Sequence, residues 1–435
     1  MHSVVSLSAA VVATLVIVTL RARRKSREAG FPQGPAPLPV IGNALEIDAS
    51  RPWLTFTKWQ ATYGDLVYCN VFGQDVVVVN SEKVAEDLMD KRSRNYSGRM
   101  DMSSILDPFS GAIILGAVFD HEIDGDPEND AMLQTVVKGT DYAVRIASPD
   151  WIALTTILPF CKYIPTWLPG GALNAPNGKR IMNEMLDIPF DITEKRVDAG
   201  EIGHCVVLDA FERFRGTTKV SDFENIMKHA CGTAYAAGEE TTGSSLIVFT
   251  LAMVLHPHVQ KRAQEEIESV VGSDRLPDFN DRPSLPYVEA IFRETARWRP
   301  IVPLAIPHSA TDEDMYDGYV IPKGAVIVPN VWAMSRNEEK YPFPETFNPE
   351  RFLDANGNLA EEMPNFVFGF GRRICPGRHL AKNSVWIAMA QILAFFSIEK
   401  AKDAFGQPVE PNPQWTQGVT SYPKDFPCAF VSRRA

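Results

Sequence analysis

The stretch that determines the fold lies near the C-terminal end: Asn365-Phe366-Val367-Phe368-Gly369-Phe370-Gly371-Arg372-Arg373-Ile374-Cys375-Pro376-Gly377-Arg378. Its glycines, and a proline without an amide donor, predict a loop rather than a strand. Residues 379–396 carry apolar side chains at helical spacing and predict a helix. Cys375 therefore precedes a helix N-terminus, where free N–H groups and the helix dipole favour a thiolate. The arginines at 372, 373 and 378 add positive charge.

A single thiolate in such a loop has few uses. A nucleophilic cysteine needs a histidine base and a zinc site needs further ligands, whereas one thiolate can be the axial ligand of a haem iron. The stretch resembles the haem-binding loop of the cytochrome P-450 family, Phe-x-x-Gly-x-Arg-x-Cys-x-Gly. The matching residues are Phe368, Gly371, Arg373, Cys375 and Gly377. The resemblance implies haem b held by Cys375; the alternative is a buried structural cysteine in a turn.

The composition of the chain argues against a nucleic-acid-binding protein and against a disulfide-rich one. The chain has 435 residues, is 45% hydrophobic and has a net charge of −11, which argues against nucleic acid as a partner. Its six cysteines are widely spaced, so we expect a reducing compartment rather than a disulfide framework.

The N-terminus predicts a membrane anchor. Residues 3–20 are uncharged and apolar, about the length that spans a bilayer, and basic residues follow at once. This order favours an uncleaved signal-anchor over a cleaved signal peptide, with the remainder cytosolic. Residues 21–43 form a basic and proline-rich hinge, which also resembles the hinge of the family. Residues 44–435 are then one large domain.

Hydrophobic periodicity indicates the elements around the loop. It predicts helices at residues 53–63, 174–201, 221–256 and 285–297, and a hairpin at residues 66–80. Ser81 is predicted to cap another helix, and the pair 221–222 to cap the longest one. Residues 319–328 are predicted to form a second hairpin, with Pro-Lys-Gly as its turn.

One region departs from the family pattern. Family members carry a Trp-x-x-x-Arg helix that binds a haem propionate, but residues 101–150 contain only Lys138 and Arg145 as cations and no tryptophan. We therefore expect that a block is missing near residues 103–110. Its loss would remove propionate partners and a core helix.

The longest predicted helix contains a costly interior segment, Ala236-Ala237-Gly238-Glu239-Glu240-Thr241-Thr242-Gly243. Its threonine hydroxyls can bond to backbone carbonyls, and Gly238 would let a flat cofactor approach the backbone. The segment resembles the family's Ala-Gly-x-(Asp/Glu)-Thr-Thr element. On that match Glu240 and Thr241 are the catalytic acid–alcohol pair that delivers protons during dioxygen reduction. The alternative is a polar patch on a surface helix.

Further residues follow from the resemblance. Glu294 and Arg297 share a helix face, and the family pairs them with the arginine of a Pro-x-Arg-Phe segment, here Arg351. Such a network would hold the cysteine loop. His308 and Arg373 are candidate propionate partners, although a solvated histidine is an equal alternative for His308. Phe368 would pack beside the sulfur.

The periodicity predicts a mainly α protein with small β-sheets, and the resemblance implies the cytochrome P-450 fold. The implied activity is a monooxygenase that inserts one oxygen atom of O2 into a hydrophobic small molecule. Its electrons would come from NADPH through a reductase docking near the loop arginines, at the cytosolic face of the endoplasmic reticulum. The segments Arg297-Trp298-Arg299-Pro300 and Ile306-Pro307-His308 resemble those of fungal family members of the O-methylsterigmatocystin oxidoreductase type. This resemblance suggests a role in secondary metabolism. Two alternatives stay open: a truncated, haem-poor variant and a peroxide-rearranging haem-thiolate enzyme.

Overall fold

The computed structural model describes residues 30–38, 42–43, 46–48, 51–71, 74–90, 98–99, 108–123, 130–146, 155, 159–166, 174–215, 222–360, 363–401, 407–416, 418–424 and 426–433. The predicted anchor at residues 3–20 and most of the expected break at 103–110 lie outside these residues.

Helices dominate the described residues. The α-helices are α1 Pro52–Tyr63, α2 Glu82–Ala85, α3 Pro108–Phe119, α4 Ala131–Ile146, α5 Ala175–Ala199, α6 Val206–Phe214, α7 Phe223–Leu255, α8 Pro257–Val270, α9 Pro286–Trp298, α10 Val331–Met334 and α11 Arg378–Phe395. A π-helical turn, Glu86–Asp90, continues α2, and 3-10 turns occur at Pro159–Tyr163, Arg282–Ser284, Pro349–Phe352, Asn365–Phe368 and Gly371–Arg373.

The strands are few and short, as predicted for a mainly α protein. They are β1 Leu66–Val71, β2 Gln74–Val79, β3 Gly98–Arg99, β4 His308–Ser309, β5 Asp314–Tyr316, β6 Tyr319–Ile321, β7 Val326–Pro329, β8 Phe396–Lys400 and β9 Cys428–Ser432. They form one sheet in the order β1-β2-β7-β4-β3 and two hairpins, β5-β6 and β8-β9.

The described residues divide into two compact units, one drawn from the ranges 1–100, 293–376 and 419–421 and the other from the ranges 101–292, 377–418 and 422–435. The first unit contains the five-stranded sheet. Strands β1 and β2 are antiparallel, and β2 continues parallel to β7. Helix α1 places Phe56 and Trp59 on one face, and both pack with Val67, Val78 and Val328 in one core cluster.

The second unit is built around α7. Its buried residues include Tyr235 and Ala236, which belong to a core cluster with Leu115 of α3, Leu133 of α4 and Phe190 of α5. The hairpin β8-β9 belongs to the same unit, and Gln260 of α8 exchanges two hydrogen bonds with the backbone of Ile398, at 2.7 and 3.0 Å.

Most predicted elements are confirmed with boundaries shifted by about one or two residues. The loop at 365–378 contains no strand, and α11 follows it at Arg378. The predicted N-cap positions are confirmed, since Ser81 precedes α2 and Asp222 precedes α7, whereas residue 221 lies outside the described residues. Neither Ser81 nor Asp222 makes a side-chain capping bond, so that part of the prediction is wrong. Asp222 instead accepts a hydrogen bond from the Asn225 side chain at 3.0 Å.

The hairpin predicted at residues 319–328 is also wrong. Strand β6 pairs with β5, whereas β7 is buried between β2 and β4 in the main sheet. The turn that joins β5 to β6 is Asp317-Gly318, and both residues have positive φ, at 49° and 80°. Asp-Gly strongly favours a two-residue hairpin turn, so β6 pairs across Asp317-Gly318 with β5 and not across Pro-Lys-Gly with β7.

No single helix in the described part of the chain is both long and apolar enough to cross a bilayer. Helices α7 and α8 meet that criterion only together, and they are bent by 105° at His256.

Candidate functional site

The cysteine loop is closed by its own backbone. The Cys375 N–H donates to the Phe368 carbonyl, seven positions earlier in the chain, at 2.8 Å. Gly369 and Gly371 have φ of 78° and 59°, a region that residues with a Cβ rarely adopt. A Cβ added at Gly369 would meet no atom within 4 Å, so the backbone conformation, and not lack of space, requires glycine there.

Cys375 is more accessible to solvent than most other cysteines of the chain. Cys69, Cys161, Cys205 and Cys231 are buried, whereas Cys375 and Cys428 are half-buried. Burial raises the pKa of Cys69 and of Cys231 to about 12, so both stay protonated thiols. Cys375 is the half-buried cysteine that stands in a loop preceding a helix N-terminus, at Arg378.

The other loop residues surround this cysteine in the same short segment. Phe368 is half-buried, and its backbone carbonyl accepts the hydrogen bond from the Cys375 N–H. Phe366 and Phe370 are buried and anchor the loop. Arg372 and Arg373 are exposed. A partly accessible sulfur among loop amides and cations is the donor set that an anionic axial ligand of haem requires, so these residues fit that group.

The acid–alcohol pair lies on α7. Glu240 is 2% exposed and Thr241 is half-buried. The Thr241 hydroxyl donates to the Ala237 carbonyl at 3.0 Å, and Ser245 repeats this bond to Thr241 at 2.8 Å. These bonds confirm that alcohols on this helix compete for carbonyls, yet α7 runs unbroken through the segment. Because a hydroxyl oxygen that donates its hydrogen still has two lone pairs, Thr241 Oγ1 can also accept a hydrogen bond.

Gly238 lies where α7 packs against α3. A Cβ at this position would lie 2.6 Å from Cδ1 of Ile114 on α3. The glycine therefore allows α3 to pack closely against α7, because any larger side chain would collide with Ile114. The expectation that Gly238 lets a flat cofactor approach the backbone stays a prediction.

Glu294, Arg297 and Arg351 are brought together. The Arg297 guanidinium donates to both oxygens of Glu294, at 2.6 and 2.7 Å, and both side chains are fully buried. Arg351 Nε lies 3.2 Å from Glu294 Oε2. Backbone groups complete the cluster: Arg297 donates to the Ser335 carbonyl at 2.9 Å, and Glu294 accepts from the Asn348 N–H at 2.8 Å. The network thus ties α9 to residues 335–351.

A second charged cluster beside this network was missed by sequence reasoning. Arg336 and Arg299 both bond to Glu345, each at 3.1 Å, and the Arg336 guanidinium stacks over Trp332 at 3.4 Å. Burial, and then the neighbouring Arg299, lowers the pKa of Arg336 to about 9. Burial raises the pKa of Glu345, but the two arginines hold it below its ordinary value. Only the Arg-Trp-Arg run at 297–299 could have indicated this cluster.

His308 is not a solvated side chain. It is 3% exposed and lies on β4, whose backbone pairs with β3 and β7. The solvated alternative is therefore wrong. A buried histidine needs hydrogen-bond partners for its ring nitrogens, so both a structural and a ligand-binding role are consistent with the burial of His308.

Comparisons with known proteins identify the family. The cytochrome P-450 family model matches residues 32–117 and 82–426. A cytochrome P-450 monooxygenase of Armillaria gallica is 33% identical over 98% of this chain and 97% of its own length. The monooxygenase claR of Ampulloclitocybe clavipes is 32% identical, over 94% and 88% respectively, and a monooxygenase of Postia placenta is 31% identical, over 96% and 93%. This chain belongs to the cytochrome P-450 family.

Membership has direct consequences for the chemistry. The protein is an oxidoreductase of the monooxygenase class, and the cofactor of the family is haem b with a cysteine thiolate as the axial ligand. The reaction inserts one oxygen atom of O2 into a hydrophobic small molecule.

Proposed function

We propose that Cys375 is the axial haem ligand of this monooxygenase. The observation that supports this most strongly is the loop itself, in which the half-buried Cys375 follows two positive-φ glycines and is closed onto Phe368. When bound, haem supplies the activation of dioxygen. Cys375 would hold it, Gly371 would permit the loop conformation through its positive φ, and Phe368 would shield the sulfur. Gly377 would contribute from the N-cap position of the helix that follows.

The decisive measurement is the reduced carbon-monoxide difference spectrum of the purified full chain, together with the ratio of haem to protein. A Soret band at the thiolate position and about one haem per chain are expected. A protein that binds no haem, or whose band lies at the position of a neutral ligand, would reject the assignment.

The charged groups have proposed supporting roles. Arg373 and His308 would pair with the haem propionates, because a carboxylate that is taken out of water requires a cation or a hydrogen-bond donor. The Glu294–Arg297–Arg351 network would keep the segment that leads into the cysteine loop in place. Its bonds to residues 335–351 support this role.

Glu240 and Thr241 would deliver protons during turnover. The burial of Glu240 and the fixed Thr241 hydroxyl support this role, since a proton relay needs positioned groups shielded from bulk water. A thiolate site alone would allow other chemistry; this pair favours the monooxygenase reaction over the rearrangement of peroxides.

Replacing Thr241 by alanine is expected to lower coupled turnover on the order of 10-fold, because the relay loses its hydroxyl. The measurement is hydrogen peroxide released per NADPH consumed, with ethoxycoumarin as the hydrophobic probe. Thr233→Ala is the matched control, because Thr233 makes the same bond to a carbonyl four residues earlier, at 2.7 Å, on an exposed part of α7. Equal peroxide yields from the two variants would contradict the role of Thr241.

Electron supply and location are part of the proposal. A NADPH-dependent reductase would dock near Arg372 and Arg378, whose positive charge suits an acidic partner surface. Residues 3–20 would anchor the chain as a single-pass helix in the endoplasmic reticulum membrane, with the catalytic part cytosolic. The fungal relatives support a role in secondary metabolism.

A second candidate is a truncated, haem-poor form. The alignment with the Armillaria gallica protein runs over 498 positions, although this chain has only 435 residues, so at least 63 positions have no counterpart here. The two ranges matched by the family model also overlap at residues 82–117. These observations support a missing block in that region, near the expected 103–110. A haem-to-protein ratio far below one, in a protein with a normal unfolding transition, would favour this candidate.

A further inference from the structure

An aromatic side chain connects the buried Glu294–Arg297 pair with the cysteine loop. Tyr341 is 4% exposed and lies between α10 and the 3-10 turn Pro349–Phe352. The central carbon of the Arg297 guanidinium lies over the Tyr341 ring, 5.5 Å from the ring centroid. A cation at this distance is attracted by the negative face of an aromatic ring. Because both oxygens of Glu294 fix Arg297, this contact gives the Tyr341 ring a defined position.

A second contact of the Tyr341 ring reaches the segment that leads into the cysteine loop. The ring centroids of Tyr341 and Phe366 are 6.5 Å apart, and the two planes meet at 60° in an edge-to-face arrangement. Aromatic pairs at this separation prefer such a geometry. Phe366 is 2% exposed, so its ring moves only if the close-packed neighbours move with it. The two rings therefore hold one another in place.

The backbone connects this position to the cysteine. Phe366 belongs to the 3-10 turn Asn365–Phe368, which is closed by a hydrogen bond from the Gly369 N–H to the Phe366 carbonyl at 3.1 Å. The last residue of that turn is Phe368, whose carbonyl accepts from the Cys375 N–H at 2.8 Å. The position of the Phe366 ring therefore determines where the Phe368 carbonyl lies, and with it where Cys375 is held.

These contacts give the buried ion pair a use other than stability. All of the residues involved, from Glu294 to Cys375, belong to the first compact unit. A buried ion pair contributes little net stability, and the best attested use of such pairs is to fix one arrangement of the chain. Groups that contact a metal ligand from outside orient it and tune its donation to the metal. Tyr341 joins these two kinds of group by direct contacts.

We propose that Tyr341 is a positioning residue for the haem thiolate. Through its ring the Glu294–Arg297 pair holds the Phe368 carbonyl in place, and that carbonyl holds the residue that carries the sulfur. This rests on the proposed role of Cys375 as the axial ligand. Because both contacts of Tyr341 are made by its ring, the ring and not the hydroxyl group carries the effect. The geometry fixed in this way is one on which the electron donation of the sulfur depends.

The first test reads the loop and not turnover. Hydrogen exchange at the Cys375 amide is measured in the purified full chain by mass spectrometry of overlapping peptides that end on either side of residue 375. Tyr341→Leu is expected to raise the exchange rate on the order of 10-fold, because the Phe368 carbonyl is no longer held in place. Tyr341→Phe keeps the ring and is expected to keep the wild-type rate. An unchanged rate in Tyr341→Leu would overturn the proposal.

Tyr68→Leu is the matched control for a loss of stability alone. Tyr68 is a buried tyrosine of the same unit, its ring lies 4.8 Å from that of Phe31, and its hydroxyl donates to Asp75 at 2.6 Å. Its loss is expected to lower the urea midpoint at least as much as Tyr341→Leu does, with no change in the exchange of the Cys375 amide. Equal exchange rates in the two leucine variants would reject the specific role of Tyr341.

The reduced carbon-monoxide spectrum tests the consequence for the sulfur. Tyr341→Leu is expected to move most of the Soret absorbance from the thiolate position to that of a neutral ligand, whereas Tyr341→Phe and Tyr68→Leu keep the wild-type band. Phe366→Leu breaks the same ring contact from the loop side, and it keeps the test available if Tyr341→Leu does not fold. A full thiolate band in both Tyr341→Leu and Phe366→Leu would contradict an effect on the sulfur.

A double-mutant cycle tests the link to the ion pair. Arg297→Lys keeps a cation but loses the planar fork that binds both oxygens of Glu294. If Tyr341 transmits the effect, Arg297→Lys and Tyr341→Leu together raise the exchange rate of the Cys375 amide no more than the stronger single change does. If the two effects multiply, the residues act independently and the link is refuted.

The outcomes separate this proposal from the proposed function. If the wild-type chain shows no thiolate spectrum, the assignment of Cys375 fails, and hydrogen exchange still decides whether Tyr341 holds the loop. If the wild-type spectrum is of the thiolate type and Tyr341→Leu changes neither the spectrum nor the exchange rate, Cys375 stands as the ligand and the positioning role of Tyr341 fails.

Discussion

Replacing Cys375 by alanine is expected to abolish the thiolate-type carbon-monoxide spectrum and all monooxygenase turnover. The change removes only the sulfur, because the hydrogen bond from residue 375 to the Phe368 carbonyl is made by the backbone and survives. The loop therefore keeps its shape while the iron loses its anionic ligand. Activity should fall to background while the unfolding transition changes little, which circular dichroism in urea can measure.

Cys428→Ala is the matched control for this experiment. Cys428 is also half-buried but lies on strand β9, where burial raises its pKa and keeps it a thiol. We expect its alanine variant to keep the wild-type spectrum and turnover. A Cys375→Ala protein whose spectrum matched that of Cys428→Ala would show that another residue holds the iron.

The helices of this protein were predictable because their signals are local. An apolar stripe at helical spacing defines α1, α5, α7 and α11 within one or two residues of each end. The N-cap position at Asp222 was predictable, but its side-chain capping bond was not, because a side chain at a helix start can bond elsewhere, here to Asn225. The same limit explains β7, whose Val-Ile-Val run gives its strand character but not its partner strand.

The candidate site was predictable where a motif carries the chemistry within a few residues. The cysteine loop and the Glu294–Arg297 pair are of this kind. The contact between Gly238 and Ile114, and the cluster of Arg299, Arg336 and Glu345, join segments far apart in the chain. Spacing along one sequence contains no signal for such contacts, because packing between elements decides them.

The Glu294–Arg297 pair is predicted to be the most sensitive point for stability. Both side chains are completely buried, so hydrogen bonds to the partner side chain and to nearby backbone groups replace the hydration of each charge. Burying two paired charges gives little net stability, but removing one of them leaves the other without compensation. Arg351, at 3.2 Å from Glu294, compensates only in part, since its remaining donors go to the carbonyls of Pro342 and Thr346.

Arg297→Ala is therefore expected to lower the free energy of unfolding by about 3–5 kcal/mol, measured by urea denaturation, and to reduce haem retention along with it. Arg180→Ala is the matched control, because Arg180 forms an exposed pair with Glu184 at 2.6 Å, and such pairs contribute about 1 kcal/mol or less. Adding Glu294→Gln to Arg297→Ala should restore part of the loss, since it removes the stranded charge. If Arg297→Ala costs no more than Arg180→Ala, the buried network does not hold this part of the fold.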